Sequence, residues 1–306
     1  GFIGENPVHL EQFKDRKELV NEDAKILRAL KENGTLIIEG DDPVLKSIYR
    51  KRDNVITFGF GNVNIKASDF KVSIEVVNTE EQWANYYSSI VPKGKFKVEY
   101  KGSSIPFQVD YVLGKHQVTS ILPAIALGLV DGMNLVEISQ QVKKMVPVKG
   151  RLRCLEGIKD TLLIDDTYNS APAAMAMALD TLSRLKIRGS RKVAILGSMK
   201  ELGEESKSIH QDIGILAAEI VEVCIGVGEE TKDILLAFHK HNPNGLYHWF
   251  ANSDEAVAKI VDFITSDDII LVKGSQSSRM EKISAKLLAN KRYRTELLTR
   301  QSSNWV

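Results

Sequence analysis

From Leu162 to Val272 the chain alternates short apolar runs with helix-forming stretches, and this rhythm limits the fold more than any other feature. The runs are Leu162-Leu163-Ile164-Asp165, Val193-Ala194-Ile195-Leu196, Val223-Cys224-Ile225-Gly226-Val227 and Ile269-Ile270-Leu271-Val272. Between them lie Ala173 to Leu185, Ser206 to Ile220, Thr231 to His239 and Ser253 to Ile264. Strands that alternate with helices imply a parallel α/β sheet joined by right-handed crossovers. Such sheets bind ligands beyond the carboxyl ends of their strands. Those ends are Asp165-Asp166, Gly197-Ser198, Gly226-Val227-Gly228 and Lys273-Gly274-Ser275. All are polar or glycine-rich, as a site requires.

The pattern upstream is different. Leu19, Val20, Ile26, Leu27 and Leu30 recur at helical spacing between Asp15 and Lys31, and Asn33-Gly34 is a stop signal. Thr35 to Glu39 reads as a short buried strand closed by Gly40-Asp41-Asp42-Pro43, and Val55 to Phe58 as another. Polarity alternates with period two in Phe70–Val76, Phe96–Tyr100 and Phe107–Tyr111, which predicts a small antiparallel sheet with one wet face. Val118 to Leu129 predicts a buried helix, and Val146-Pro147-Val148-Lys149-Gly150 a linker. The chain of 306 residues then divides into domains at 1–147 and 148–306.

Composition excludes several classes. Apolar residues at 43% suffice for globular cores, and a net charge of +1 gives no electrostatic reason to bind nucleic acid or an anionic membrane. Lys291, Arg292 and Arg294 form a locally basic stretch, read as a solvated helix end. No apolar run approaches the roughly 18 residues of a membrane span, and no signal-peptide pattern opens the chain. Cys154 and Cys224 are too few for a disulfide framework and read as buried thiols of a cytoplasmic protein. Residue 1 is Gly rather than Met, so a processed or truncated chain is expected.

The strand ends carry the chemistry. The carboxylates of Asp165-Asp166-Thr167-Tyr168-Asn169-Ser170 suit ribose hydroxyls or a metal; the plain alternative is a helix cap at Asn169 or Ser170. Gly197-Ser198-Met199-Lys200-Glu201-Leu202-Gly203 is a glycine-bracketed loop without the G-x-G-x-x-G fingerprint, which argues against a dinucleotide dehydrogenase. Lys273-Gly274-Ser275 offers one positive charge and exposed amides to an anion, or is a plain turn.

Together these segments, with His210 downstream, resemble the C-terminal domain of the MurF type of Mur ligase. Upstream, His9-Leu10-Glu11-Gln12-Phe13, Gly40-Asp41-Asp42-Pro43, Gly114-Lys115-His116-Gln117 and Gly150-Arg151-Leu152 are similar to further segments of that family, in the same order. The resemblance implies the remainder of a P-loop-type central domain followed by a Rossmann-like α/β domain. It implies a ligase that uses ATP and Mg2+ to activate the carboxylate of a UDP-N-acetylmuramoyl-tripeptide as an acyl phosphate. D-Ala-D-Ala then attacks, giving an amide. A cytoplasmic monomer working on small molecules in peptidoglycan synthesis is expected. By this resemblance His9 ligates the metal and is catalytic. His116, Gln117, Arg151, Asp166, Tyr168 and Asn169 meet the nucleotide, and Ser198, Glu201, His210, Lys273 and Ser275 face acceptor or dipeptide, Lys273 being catalytic too.

The chain also departs from the family. It holds no G-x-x-x-x-G-K-[ST] phosphate loop, and it opens just before His9, without the UDP-binding domain or the metal-binding Glu. Where many members carry a carbamoylated lysine it has Asp23. Lys25 lies two residues on, about 200° around a helix, and cannot simply substitute. Asp23 either supplies a permanent carboxylate to the metal or is a solvated helix residue. Gln117 stands where Asn is usual, Ser198 where an acid is common and Gln276 where Arg is common. Two further readings stay open: another Mur-type or folylpolyglutamate-like ligase, and a non-catalytic nucleotide-binding module with the ligase fold.

Overall fold

The computed structural model describes residues 18, 21–22, 24–31, 33–43, 45–46, 53–76, 90–145, 147–187 and 189–302. They form two compact units, one built from residues up to Glu75 together with those of Pro92–Val146, the other from those of Val76–Val91 together with Pro147 onward. His9 and Asp23 lie outside the described residues, as do residues 15–17 and 19–20 of the helix expected between Asp15 and Lys31; further along that segment, Ala24–Ala29 forms a 3-10 turn.

The first unit is one mixed sheet in the order β1-β2-β3-β4-β5. Its strands are β1 (Leu36–Glu39), β2 (Val55–Gly59), β3 (Ile65–Val76), β4 (Ile90–Tyr100) and β5 (Ser103–Asp110). The alternating segments form its antiparallel part: β4 and β5 pair antiparallel across a Lys101-Gly102 turn, both residues at positive φ (46° and 79°), the geometry that matches strand twist. The sheet does not end there: the strands expected at 35–39 and 55–58 join it as β1 and β2. β1, β2 and β3 pair in parallel, β2 and β3 through Phe58↔Ile65 and Gly59↔Lys66. Asp41, in the turn after β1, accepts from the amides of Phe60 and Gly61 just beyond β2 and so locks these two strand ends together.

One face carries Phe58, Ile65, Phe96, Val98, Phe107 and Val109. They pack against α1 (Lys115–Val130) and α2 (Leu135–Val142) through Val118, Leu122, Ile125 and Ile138. Phe96 and Phe107 are directly paired across the strands, their rings 5.6 Å apart. Each large side chain buried here contributes about 1.5–3 kcal/mol.

The second unit is a six-stranded sheet in the order β10-β9-β8-β11-β7-β6. Its strands are β6 (Arg153–Glu156), β7 (Leu162–Asp166), β8 (Lys192–Gly197), β9 (Val223–Val227), β10 (Leu246–Phe250) and β11 (Ile269–Lys273). All pair in parallel except β6, antiparallel to β7 at one edge. The helices are α3 (Pro172–Arg184), α4 (Ser206–Ala218), α5 (Thr231–His241), α6 (Ser253–Lys259), α7 (Glu281–Leu287) and α8 (Arg294–Leu297). β7, β8, β9 and β10 move outward in sequence, and the chain then returns to insert β11 between β7 and β8. Strand order reverses there, and a crevice opens at the carboxyl ends of such a junction. Leu163, Ile195, Ile225, Ile270 and Val272 form the centre of one core with Met280, Ile283 and Leu287.

One ion pair with a buried carboxylate supports the opposite, amino-terminal edge of this sheet. Asp268, fully buried, takes both Arg191 Nε and Nη2 (3.0 and 2.8 Å) and the Thr265 amide and hydroxyl.

Candidate functional site

The register of β7 against β11 sets Lys273 opposite Asp166. Lys273 Nζ lies 2.7 Å from Asp166 Oδ2 and donates to the Asn169 carbonyl at 3.0 Å. The other carboxylate oxygen accepts the Leu152 amide at 3.2 Å. Lys273 is 1% exposed, so it holds Asp166 and the Asn169 backbone in place rather than presenting its charge at the surface. Removing either partner would strand a buried charge, at a cost of about 3–5 kcal/mol.

The segment that supplies the Leu152 amide is folded tightly onto this pair. Gly150 has φ +69°, and its carbonyl accepts the Tyr168 amide at 3.0 Å. A Cβ at Gly150 would meet Tyr168 N at 2.9 Å, so only glycine allows the approach. Leu152, buried, is also left-handed at φ +49°, a cost of about 1–2 kcal/mol offset by its bond to Asp166. Between them the Arg151 guanidinium stacks on the exposed Tyr168 ring, 4.3 Å from its centroid. Asn169 is exposed beside it, and its side-chain oxygen accepts from the Ser170 amide. Neither Asn169 nor Ser170 caps α3; that place belongs to Ala171, with Pro172 in the first turn.

Asp165, one residue back, points into the protein. Its Oδ1 accepts from Thr167 Oγ1 (2.9 Å) and Ser284 Oγ on α7 (2.7 Å), while Oδ2 has no hydrogen-bond partner among the described residues. Burial, reinforced by neighbouring Asp166 and only partly offset by the two hydroxyls and Arg153, raises its pKa to about 6.

The ends of β8 and β11 meet without side chains between them: a Cβ on Gly274 would lie 2.9 Å from Gly197 Cα. The Ser275 amide then donates to the Ser198 carbonyl at 3.1 Å. Both serines are buried, and Ser275 Oγ is bonded to the hydroxyls of Ser277 and Ser278. Glu201 is exposed and left-handed at φ +64°. His210 is fully buried: Nε2 accepts the Met199 amide at 3.1 Å, and Nδ1 is 2.7 Å from the Ser206 carbonyl, to which it donates. Both ring nitrogens are thereby engaged by the backbone. The residue ties the loop after β8 to the start of α4.

Sequence reasoning missed two residues here. Glu230, after β9, pairs with Lys200 of the loop after β8. Burial would raise its carboxyl, but Lys200 and, at longer range, the Ser198 hydroxyl bring it down to about 2. Its place just past a glycine-rich strand end was the available signal. Arg300 donates to the carbonyls of Thr167 and Tyr168 and lies 5.6 Å from the Tyr168 ring; no pattern near the C-terminus marks it.

In the first unit, Gln117 Oε1 accepts the amides of Leu113 (2.7 Å) and Gly114 (3.1 Å), capping α1. His116 is half-buried in the same first turn. No group of three or more His, Cys, Asp or Glu side chains among the described residues has metal-binding geometry. Cys154 and Cys224 are free and buried, burial pushing the Cys224 thiol up to about 12 and Cys154 higher still. No described helix is long and apolar enough to cross a membrane.

Known proteins share these two units. Residues 6–128 match the Mur ligase middle domain, and residues 150–276 match the glutamate ligase domain of Mur ligases. The chain belongs to the Mur ligase family. Similar proteins include the UDP-N-acetylmuramoyl-tripeptide–D-alanyl-D-alanine ligases of Haemophilus influenzae and Bacillus subtilis. The first is 28% identical over 90% of this chain and 56% of the relative; the second is 24% identical over 92% and 56%. This Mur ligase chain therefore spans a little over half the length of the curated relatives it matches. The fold agrees with MurF of Acinetobacter baumannii (TM-score 0.75, 24% identity, 94% of this chain and 59% of that one). It also agrees with MurF of Thermotoga maritima, solved with ADP (TM-score 0.72, 21% identity, 94% and 60%).

Proposed function

We propose that the chain is the middle and C-terminal portion, divided near residue 147, of a cytoplasmic, monomeric MurF-type ligase, and that Arg151, Asp166, Tyr168 and Asn169 form its nucleotide side. One observation carries the reading. A carboxylate is fixed between an amide and a buried ammonium directly beside an exposed guanidinium–phenol stack. A fixed carboxylate suits ribose hydroxyls, and a flat cationic face suits a base or phosphate. The relatives named as D-alanyl-D-alanine ligases, and a MurF solved with ADP, point the same way.

In this reading ATP phosphorylates the carboxylate of a UDP-muramoyl-tripeptide, releasing ADP. The amine of D-Ala-D-Ala attacks the acyl carbon and phosphate leaves. Catalysis rests on holding acceptor, phosphate and amine in line. Lys273 acts by holding Asp166. Ser198, Glu201 and Ser275 border the acceptor, and His210 keeps their loop in shape. The strand-end carboxylates fit a magnesium ion poorly, Asp166 being taken by Lys273 and Asp165 turned inward. His9 and Asp23 would hold the ion, which supplies charge neutralisation when bound.

Saturation-transfer NMR with ADP tests the nucleotide side on this chain. Transfer to the adenine protons is expected, with Tyr168→Ala weakening binding by about 1–3 kcal/mol. No transfer, or transfer unchanged in Tyr168→Ala and Arg151→Ala, would remove the basis of the proposal. Without a phosphate loop in its sequence the chain alone is expected not to turn over ATP, and turnover abolished by His9→Ala would contradict that.

A further inference from the structure

A hollow of about 440 Å3 lies in the second unit among α6, α7 and the segment from Lys291 to Gln301. Six cationic side chains line it against two carboxylates, Asp254 and Glu281, in a chain whose whole net charge is +1. Both carboxylates are already engaged. Glu281, 1% exposed, takes Arg279 Nε at 2.6 Å and Arg300 Nη1 at 3.2 Å, and Asp254 takes Lys282 at 2.7 Å. That leaves Lys286, Lys291 and Arg294, which have no carboxylate partner among the described residues. Val257 and Ala285 add apolar wall. Like charges gathered around one hollow repel one another, and a multivalent anion would relieve them all at once. The volume is that of a small-molecule site, and a guanidinium flanked by ammoniums matches phosphate oxygens.

We propose that this hollow binds a small oligophosphate through Lys286, Lys291 and Arg294. The basic stretch that sequence alone reads as a solvated helix end is then one wall of a site. Its occupancy is relayed through Arg300, whose guanidinium spans from Glu281 in the hollow to the Thr167 and Tyr168 carbonyls. The proposal does not depend on the ligase reading.

Inorganic pyrophosphate titrated calorimetrically at 0.15 M salt is the probe, with citrate as a polycarboxylate comparison. One molecule per chain is expected to bind. The triple variant Lys286→Gln/Lys291→Gln/Arg294→Gln should weaken it roughly tenfold or more, since each charge-assisted contact is worth about that. A control triple, Lys71→Gln/Lys95→Gln/Lys101→Gln, removes as many exposed charges from the first unit and should leave binding unchanged. Thermal unfolding confirms that both variants fold. Hydrogen exchange of residues 165–171 should slow with pyrophosphate in the wild type and not in the first triple. Equal losses in the two triples, or none in the first, would overturn the site. Tighter binding of citrate would overturn the phosphate assignment, and unchanged exchange at 165–171 the relay through Arg300.

Discussion

Replacing Asp165 by Asn should change the pH dependence of stability in a way that isolates one buried carboxyl. Folding moves this group from an ordinary 3.8 to about 6. The folded protein therefore holds a proton that the unfolded chain releases between those values. Its contribution is fully present below pH 3.8 and is lost as pH rises through 6. At 1.36 kcal/mol per tenfold change in acidity, the whole effect is about 3 kcal/mol. Linkage places about 1.4 kcal/mol of it between pH 5 and 7.5. Asn keeps an oxygen for the Thr167 and Ser284 hydroxyls but sets an amide nitrogen where Oδ2 has no partner, costing about 1–3 kcal/mol at every pH. The informative quantity is thus the variant-minus-wild-type difference, which should rise by about 1.4 kcal/mol from pH 5 to 7.5. Glu230 titrates below this window, near 2, and Glu156, raised by burial and Asp160, is common to both proteins and cancels. Urea unfolding followed at Trp249, with Trp83 and Trp305 replaced by Phe, reads the second unit. A difference independent of pH would refute the buried, proton-holding role of Asp165.

Gly150→Ala forces a Cβ against Tyr168 N at a positive φ and should cost about 1–3 kcal/mol together with ADP binding, measured by denaturation and NMR. Arg191→Ala strands buried Asp268 and should cost about 3–5 kcal/mol, yet leave ADP transfer unchanged because it lies at the opposite edge of the sheet. His210→Ala removes both ties of the loop after β8. Hydrogen exchange of residues 198–203 should quicken, as measured by mass spectrometry on both proteins.

The second unit was legible because its central strands are short apolar runs separated by helices of ordinary length, and strand ends mark a site in any such sheet. β10 escaped: Leu246-Tyr247-His248-Trp249-Phe250 is an edge strand whose outward residues are polar or half-exposed. α2 was announced by Asn134 and Glu137, whose reciprocal capping bonds form as that spacing predicts, and went unread. The parallel half of the first sheet was not legible, because pairing of β1 with β2 is a long-range choice that alternation within a strand does not encode. In the site, the positions of Asp166 and Lys273 could be read, but their pairing depends on register between strands over a hundred residues apart. The burial of His210 could have been read from spacing, since Ile213, Gly214 and Ala217 continue the same inward face of α4.

Gln117 separates a structural role from a functional one within a single side chain. Its carbonyl oxygen caps α1 by accepting two amides, while its amide nitrogen is the only donor the side chain can offer a base. Gln117→Ala removes both and should destabilise the first unit by about 0.5–2 kcal/mol, whatever the nucleotide does. Gln117→Glu keeps the acceptor, adds a negative charge at a helix N-terminus where it is favourable by about 0.3–1 kcal/mol, and removes only the donor. If Gln117 meets the nucleotide, ADP binding should weaken several-fold in Gln117→Glu while the melting temperature holds or rises. Were ADP transfer unchanged in Gln117→Glu and reduced in Gln117→Ala only as far as the unit unfolds, the residue would be a helix cap and the nucleotide contact would be lost from the proposal.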